Sequence, residues 1–268
     1  MAVFRFILLV LVLACFLLAV VPLQWVALRL RWPLERVIPI LFFRAIVGLL
    51  RLRIKTHGAS ASVRPRLVVS NHVSWTDIIV LGSLEPLCFL SKKEVGEWPL
   101  ISSFAKLQQT VFIDRKRRRT IPQVNATMAE RMLAGRSMML FPEGTTHDGR
   151  KLGKFHSSHF AAARELLAKA GEVETVAVQP VAIRYSSASA AWVGEASLLP
   201  HIWALLNGTP LTCDLVFGEP LTYGRETDRK IVARQASSTI ESMIARVAEA
   251  PLAGPASLVP EPVEALAG

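Results

Sequence analysis

The chain has 268 residues, enough for one well-packed catalytic domain and a short appendage. Its 51% hydrophobic content, mean hydropathy of +0.38 and formal net charge of +10 set it apart from a purely soluble enzyme. They suit a protein held against an anionic lipid surface, where each Lys or Arg contributes roughly 1 kcal/mol. The three cysteines, Cys15, Cys88 and Cys213, are odd in number and irregularly spaced, which excludes a disulfide framework and a cysteine zinc site.

The first element expected is a long apolar helix. No charged residue occurs from Phe6 to Leu28, with Arg5 before it and Arg29 and Arg31 after it. At about 1.5 Å per residue it would cover the roughly 30 Å hydrocarbon core of a bilayer. Pro22 and Gln24 interrupt its second half, and Trp25 and Trp32 sit where interfacial aromatics anchor such helices. A cleaved signal would have a shorter apolar region and a small-residue cleavage site, so the segment reads as a retained anchor. A second apolar run, Val37 to Leu50, carries Arg44 and is too short to span unaided; it reads as an interfacial or re-entrant helix paired with the first. Basic residues gather after the anchor, at Arg29, Arg31, Arg36, Arg44, Arg51, Arg53 and Lys55, which directs the rest of the chain to the cytoplasmic side of the inner membrane.

From about Arg64 the pattern alternates between short β-rich runs and longer helical stretches, as in an α/β domain. Strands are predicted at Leu67–Ser70, Leu87–Ser91, Thr110–Ile113, Ser137–Phe141, Val176–Ile183 and Thr212–Phe217. Helices are predicted at Trp75–Gly82, Leu100–Leu107, Ile121–Ala134, Ser158–Ala170 and Asp228–Ala248. Runs such as Met138-Met139-Leu140-Phe141 are apolar at successive positions, which points to strands buried on both faces of a mixed, largely parallel sheet flanked by helices. The expected organisation is an anchor over 1–55, a catalytic domain over 56–250 and a tail over 251–268, rich in Pro, Ala and Gly, with too little to bury for order.

Polar clusters fall where such strands end, which is where parallel sheets carry working residues. Asn71-His72-Val73-Ser74-Trp75-Thr76-Asp77 offers an imidazole and a carboxylate five residues apart. On a single helix the two would point about 140° apart, so they meet only if His72 precedes the helix and Asp77 lies on its first turn. An ordinary imidazole titrates near pH 6.5 and takes a hydroxyl proton at neutral pH, while a carboxylate on its other nitrogen fixes the tautomer. Ser74 and Asp77 equally fit a helix capping box, and a cap would also hold Asp77 still.

In the second cluster, Val111-Phe112-Ile113-Asp114-Arg115, the guanidinium of Arg115 follows a buried strand and is placed to grip a phosphate; Lys116 to Arg119 extend the charge. Without aromatic interleaving or a nucleic-acid motif, this run does not indicate nucleic-acid binding. The third cluster is Phe141-Pro142-Glu143-Gly144-Thr145-Thr146. Gly144 allows close backbone approach, Glu143 is a candidate acceptor for substrate hydroxyls, and N–H groups at this turn, Thr145 included, could hold an oxyanion. Lys92 and Lys93, after a strand, are further candidates for phosphate contact. His147, His156 and His159 form no recognisable metal site.

In order and content these clusters resemble the glycerophospholipid acyltransferases, specifically the bacterial 1-acylglycerol-3-phosphate acyltransferase family, over roughly Leu67 to Val181. His72 and Asp77 match that family's H-x-x-x-x-D signature, Phe112 and Arg115 its second motif, Phe141-Pro142-Glu143-Gly144 its third, and Pro180 its fourth. The resemblance implies direct acyl transfer from acyl carrier protein or coenzyme A, with His72 as base and no acyl-enzyme, metal or other cofactor. It implies a lysophospholipid acceptor at the bilayer, with Arg115 on its phosphate. Relatives often place Lys and Gly or Ser after a Phe below the third motif, whereas here His156-Ser157-Ser158 follow Phe155.

The expected product is phosphatidic acid from lysophosphatidic acid. Acylation of a lyso-ornithine lipid is the alternative within the same family. A serine hydrolase is disfavoured because no G-x-S-x-G elbow occurs. A non-catalytic membrane or nucleic-acid binder would leave the His72/Asp77 pair and Glu143 unexplained.

Overall fold

The computed structural model describes residues 2–249 apart from 98–101, 103–104, 106–107 and 195. The expected tail at 251–268 lies outside the described residues, as does most of the helix expected at 100–107, of which Ser102 and Ala105 are helical.

The chain begins with helix α1 (Ala2–Cys15), a π-helical stretch at Phe16–Val20 and helix α2 (Val21–Arg29). The three run on as one apolar rod of 27 residues from Val3 to Arg29, long enough to cross a bilayer. Pro22 accounts for the wide turn. It lacks an N–H, and its ring would strike a carbonyl one α-turn back; just before it, Val21 N–H reaches Phe16 O instead, five residues away. Only 11% of the rod's most apolar window is buried, so it is not the core helix of a soluble fold. After a turn at Arg31, helix α3 (Leu34–Leu49) runs back beside it. Gln24, buried on α2, donates to Glu35 O at 2.8 Å and ties the hairpin together.

Strand β1 (Leu52–His57) follows at once, crossing the boundary at residue 55 expected from the sequence. Next come β2 (Arg66–Ser70), α4 (Thr76–Gly82), β3 (Leu87–Lys92), β4 (Val111–Ile113), α5 (Ile121–Leu133), β5 (Ser137–Leu140) and α6 (Ala161–Lys169). The chain then forms β6 (Thr175–Tyr185), α7 (Leu198–Asn207), β7 (Leu211–Phe217), β8 (Leu221–Gly224) and α8 (Arg229–Glu249).

The eight strands make one sheet in the order β1-β7-β6-β2-β5-β3-β4, with β8 also paired to β6. Pairing is parallel except where β6 meets β7 and β8. The sheet is thus mixed and largely parallel, as its apolar runs predict. Pro180 sits within β6 at no cost to the ladder. Its carbonyl accepts from Gly218 N–H, so its missing N–H points to the same edge, at the break between β7 and β8.

The period of two is visible in burial. Leu67, Val69, Met138 and Leu140 face a core shared with α5, α6 and α8, whereas Val68, Met139 and Phe89 face a second core shared with α3, α4 and α7. Leu9 of α1 is buried in that second core, so the first helices pack on the sheet layer and are more than an attached anchor. The approach is close: a Cβ on Gly82 of α4 would lie 2.4 Å from the ring of Phe43 on α3. Beside it, Arg44 donates to Ser83 O at 3.0 Å, capping α4 with the one charge of its apolar run.

Candidate active site

Strands β2, β5, β3 and β4 are consecutive neighbours and parallel, so the loops leaving their carboxyl ends line up along one edge. This alignment gathers His72, Glu143, Lys92 and Arg115 from distant parts of the chain.

The loop after β2 is held from beneath. Asn71 donates from Nδ2 to Ile183 O and accepts at Oδ1 from Ile183 N, both at 2.8 Å, replacing a ladder pair with β6 by a side chain. His72 comes next. Its N–H donates to Glu143 Oε1 at 2.7 Å, its carbonyl accepts from His147 N at 2.9 Å, and its ring stacks on Phe141 with centroids 4.0 Å apart. The ring therefore has one orientation, with Nδ1 2.8 Å from Asp77 Oδ2.

Asp77 is fully buried on the first turn of α4. Oδ2 also accepts from the N–H groups of Val73 (2.7 Å) and Ser74 (2.9 Å), and Oδ1 accepts from the Tyr185 hydroxyl at 2.8 Å. The Val73 and Ser74 bonds tie the turn that enters α4 to its first residues, so one oxygen both fixes this turn and orients the imidazole. A carboxylate that only accepts places the hydrogen on Nδ1 and leaves Nε2 with a lone pair. Among the described residues Nε2 has no protein partner, and His72 lines the cavity. Tyr185 receives a hydrogen bond from Thr76 Oγ1 at 2.8 Å, and burial together with Asp77 pushes its pKa well up, so it remains a neutral donor.

The cavity has a volume of about 840 Å³. Lys92, Arg115, Arg118, His156 and His159 provide a basic wall, and Leu9, Leu13, Leu17, Phe42, Phe43 and Ile46 an apolar one drawn from the first helices. An amphiphile with a charged head and a hydrocarbon chain matches both walls.

The other residues singled out from sequence occupy different positions around this space. Glu143 borders the cavity, but both of its oxygens are already engaged, by His72 N–H and by Gly153 N–H at 2.7 Å, and its side chain is 1% exposed. It therefore ties the His72 loop to the Gly153 backbone at the edge of the cavity. Burial raises its pKa, against the lowering effect of the two N–H groups and His147. A Cβ at 153 would come within 2.5 Å of His147 Nε2 and 2.6 Å of Glu143 Oε2, so a larger residue there would displace the ends of these side chains. Gly144 takes φ +76°, and its carbonyl accepts a hydrogen bond from Arg115. Thr145 and Lys92 line the cavity. Phe112 does not: alternation along β4 turns it away from Ile113 and onto Gly96. Lys93 is likewise outside, 4.0 Å from Glu97. Among the described residues no group of three or more His, Cys, Asp or Glu side chains could hold a metal ion.

Sequence reasoning missed Tyr185, Asn71, the Phe141 stack and the pairing of His159 with Asn125. Tyr185 lies 108 residues from Asp77, and no local spacing signals that contact.

These features together define an acyltransferase. A family model described as Acyltransferase matches residues 53–184. More specifically, the chain belongs to the glycerophospholipid acyltransferase family. It is 37% identical over 238 residues to the lyso-ornithine lipid O-acyltransferase of Brucella abortus strain 2308, an alignment covering 85% of this chain and 89% of the relative. The enzyme of that name from Rhizobium meliloti strain 1021 is 36% identical, with 85% and 81% covered. The 1-acyl-sn-glycerol-3-phosphate acyltransferase of Neisseria gonorrhoeae is 29% identical, with 67% and 69% covered. In fold, the chain matches the crystal structure of the 1-acyl-sn-glycerophosphate acyltransferase PlsC from Thermotoga maritima. The TM-score is 0.63 at 18% identity, with 94% of this chain and 99% of that one covered.

Proposed function

We propose that the chain transfers an acyl group from acyl carrier protein or coenzyme A to the free hydroxyl of a lyso-ornithine lipid, at the cytoplasmic face of the inner membrane. The observation that carries the chemistry is the 2.8 Å contact between His72 Nδ1 and Asp77 Oδ2, which leaves Nε2 as a base on the cavity side. The hydroxyl passes its proton to Nε2 as its oxygen attacks the thioester carbonyl. The tetrahedral intermediate then collapses, the C–S bond breaks, and the thiolate recovers the proton from the imidazolium. Asp77 stabilises the positive ring in between. The N–H groups of the turn at Gly144 and Thr145 are the candidate oxyanion donors, and the apolar wall takes hydrocarbon.

The acceptor assignment rests on relatives. The family resemblance puts lysophosphatidate first and the motifs do not separate it from lyso-ornithine lipid, but the matches of higher identity and coverage carry the lyso-ornithine name. A second reading, lysophosphatidate, is supported by the cations at Lys92, Arg115 and Arg118, which suit a phosphate. The same guanidinium suits the α-carboxylate of an ornithine lipid. Membranes containing the protein, given acyl carrier protein charged with a labelled acyl chain and each acceptor in parallel, decide between them. Labelled ornithine lipid is the expected product, and labelled phosphatidate alone would reject the assignment.

A further inference from the structure

A second histidine faces the same cavity with its protonation fixed by the fold. Asn125, buried on α5, donates from Nδ2 to Ser158 O at 3.0 Å, which sets the direction of its amide. Its Oδ1 then lies 2.9 Å from His159 Nδ1. An amide oxygen only accepts, so Nδ1 carries the hydrogen and Nε2 is bare. His159 borders the cavity near Arg115 and His156. Burial, with those two neighbours, lowers its pKa to about 4, so the ring is neutral at ordinary pH.

Beside Lys92, Arg115 and Arg118 the cavity also carries acceptors: the carboxylates of Asp114 and Glu143, each already engaged by backbone N–H groups or by Arg117, and the lone pair of His159 Nε2, which has no protein partner among the described residues. A purely anionic headgroup uses the cations and is repelled by the lone pair. A zwitterionic one has use for both, its carboxylate for a guanidinium and its primary ammonium for Nε2. We propose that His159 Nε2 accepts a hydrogen bond from the ammonium of the acceptor headgroup, selecting zwitterionic lyso-lipids over purely anionic ones. This rests on the lyso-ornithine reading of the site and names the residue that enforces it. Nothing in the spacing of His159 announces the role, because its partner lies 34 residues upstream on another element.

The test uses the full-length protein in membranes with three acceptors: lyso-ornithine lipid, its norvaline counterpart (which lacks the δ-amine), and lysophosphatidate. Wild type should prefer the ornithine acceptor to the norvaline one. In His159→Leu the ratio of kcat/KM for lyso-ornithine lipid over lysophosphatidate should fall about tenfold or more, through KM, as for a lost hydrogen bond to a charged group. His159→Gln, which restores an acceptor, should recover part of that ratio. Parallel losses on all acceptors would overturn the proposal and leave the acceptor reading standing. A wild type that acylates lysophosphatidate and ignores lyso-ornithine lipid would refute that reading and the proposal with it, before any variant is made. Should His159→Leu not accumulate in membranes, equal use of the ornithine and norvaline acceptors by wild type overturns the proposal alone.

Discussion

Asp77 receives four hydrogen bonds, from His72, Val73, Ser74 and Tyr185, and three of them come from groups that play no part in moving the proton. They hold the carboxylate in place, so that in the proposed reaction little reorganisation would accompany formation of the imidazolium. Tyr185→Phe removes one donor and keeps the ring's volume. It should lower kcat about 5- to 100-fold, the worth of a buried bond to a charged group, with KM for the acceptor unchanged; a matching rise in KM would show that Tyr185 acts on binding instead. His159 gives a separate prediction for stability. Its folded pKa of about 4 lies below the ordinary 6.5, so only the unfolded chain is protonated between these values. The contribution of His159 to stability should therefore fall as pH drops from about 6.5 to 4, by on the order of 3 kcal/mol, and be level above this window. Thermal midpoints of wild type and His159→Leu across that range check it, the variant showing the shallower slope. At this scale the His72/Asp77 pair was legible, because a histidine after an apolar strand and a carboxylate on the following helix turn are a local pattern. Tyr185 and Asn125 were not, since the sheet order that brings them near is set by long-range pairing.

Among elements, the contact of α3 with α4 matters most to the site, since α4 carries Asp77 and α3 contributes Phe43 and Ile46 to the cavity wall. Gly82 permits it. Gly82→Ala would force the helices apart at Phe43, costing about 1–3 kcal/mol in stability as overpacking does. Phe43→Ala should cost less beside Gly82→Ala than it does alone, whereas strictly additive effects on the thermal midpoint would show that the two residues do not press on each other. The strands of the parallel half and helices α4, α5, α6 and α8 follow predicted segments to within a few residues, because each is a continuous apolar or amphipathic run between turns. Strand β1 was missed because Arg53 and Lys55 alternate with Leu52 and Ile54 on an edge strand and read as the basic flank of the anchor. Helix α7 was missed because Pro200 lies in its first turn, a position where proline is tolerated but looks like a break. Its Trp203 meets Phe6 of α1 edge-on at 5.8 Å, a contact that only tertiary packing creates.

In the whole molecule, the apolar rod and the catalytic sheet share one cavity. Leu9, Leu13 and Leu17 lie on its wall with His72, while the outer face of the same rod is bare, Leu18 being 81% exposed. In the proposed reaction, a rod with one face on the cavity and the other bare would let an acceptor lipid keep its chain in an apolar setting while its hydroxyl reaches His72. The central claim is that His72 takes the proton of that hydroxyl. It is tested most directly by single-turnover acyl transfer to lyso-ornithine lipid in membranes carrying equal amounts of wild-type and His72→Ala protein. The rate should fall about 100- to 10,000-fold, with membrane association unchanged; a variant within a few-fold of wild type would contradict the assignment of His72 as base.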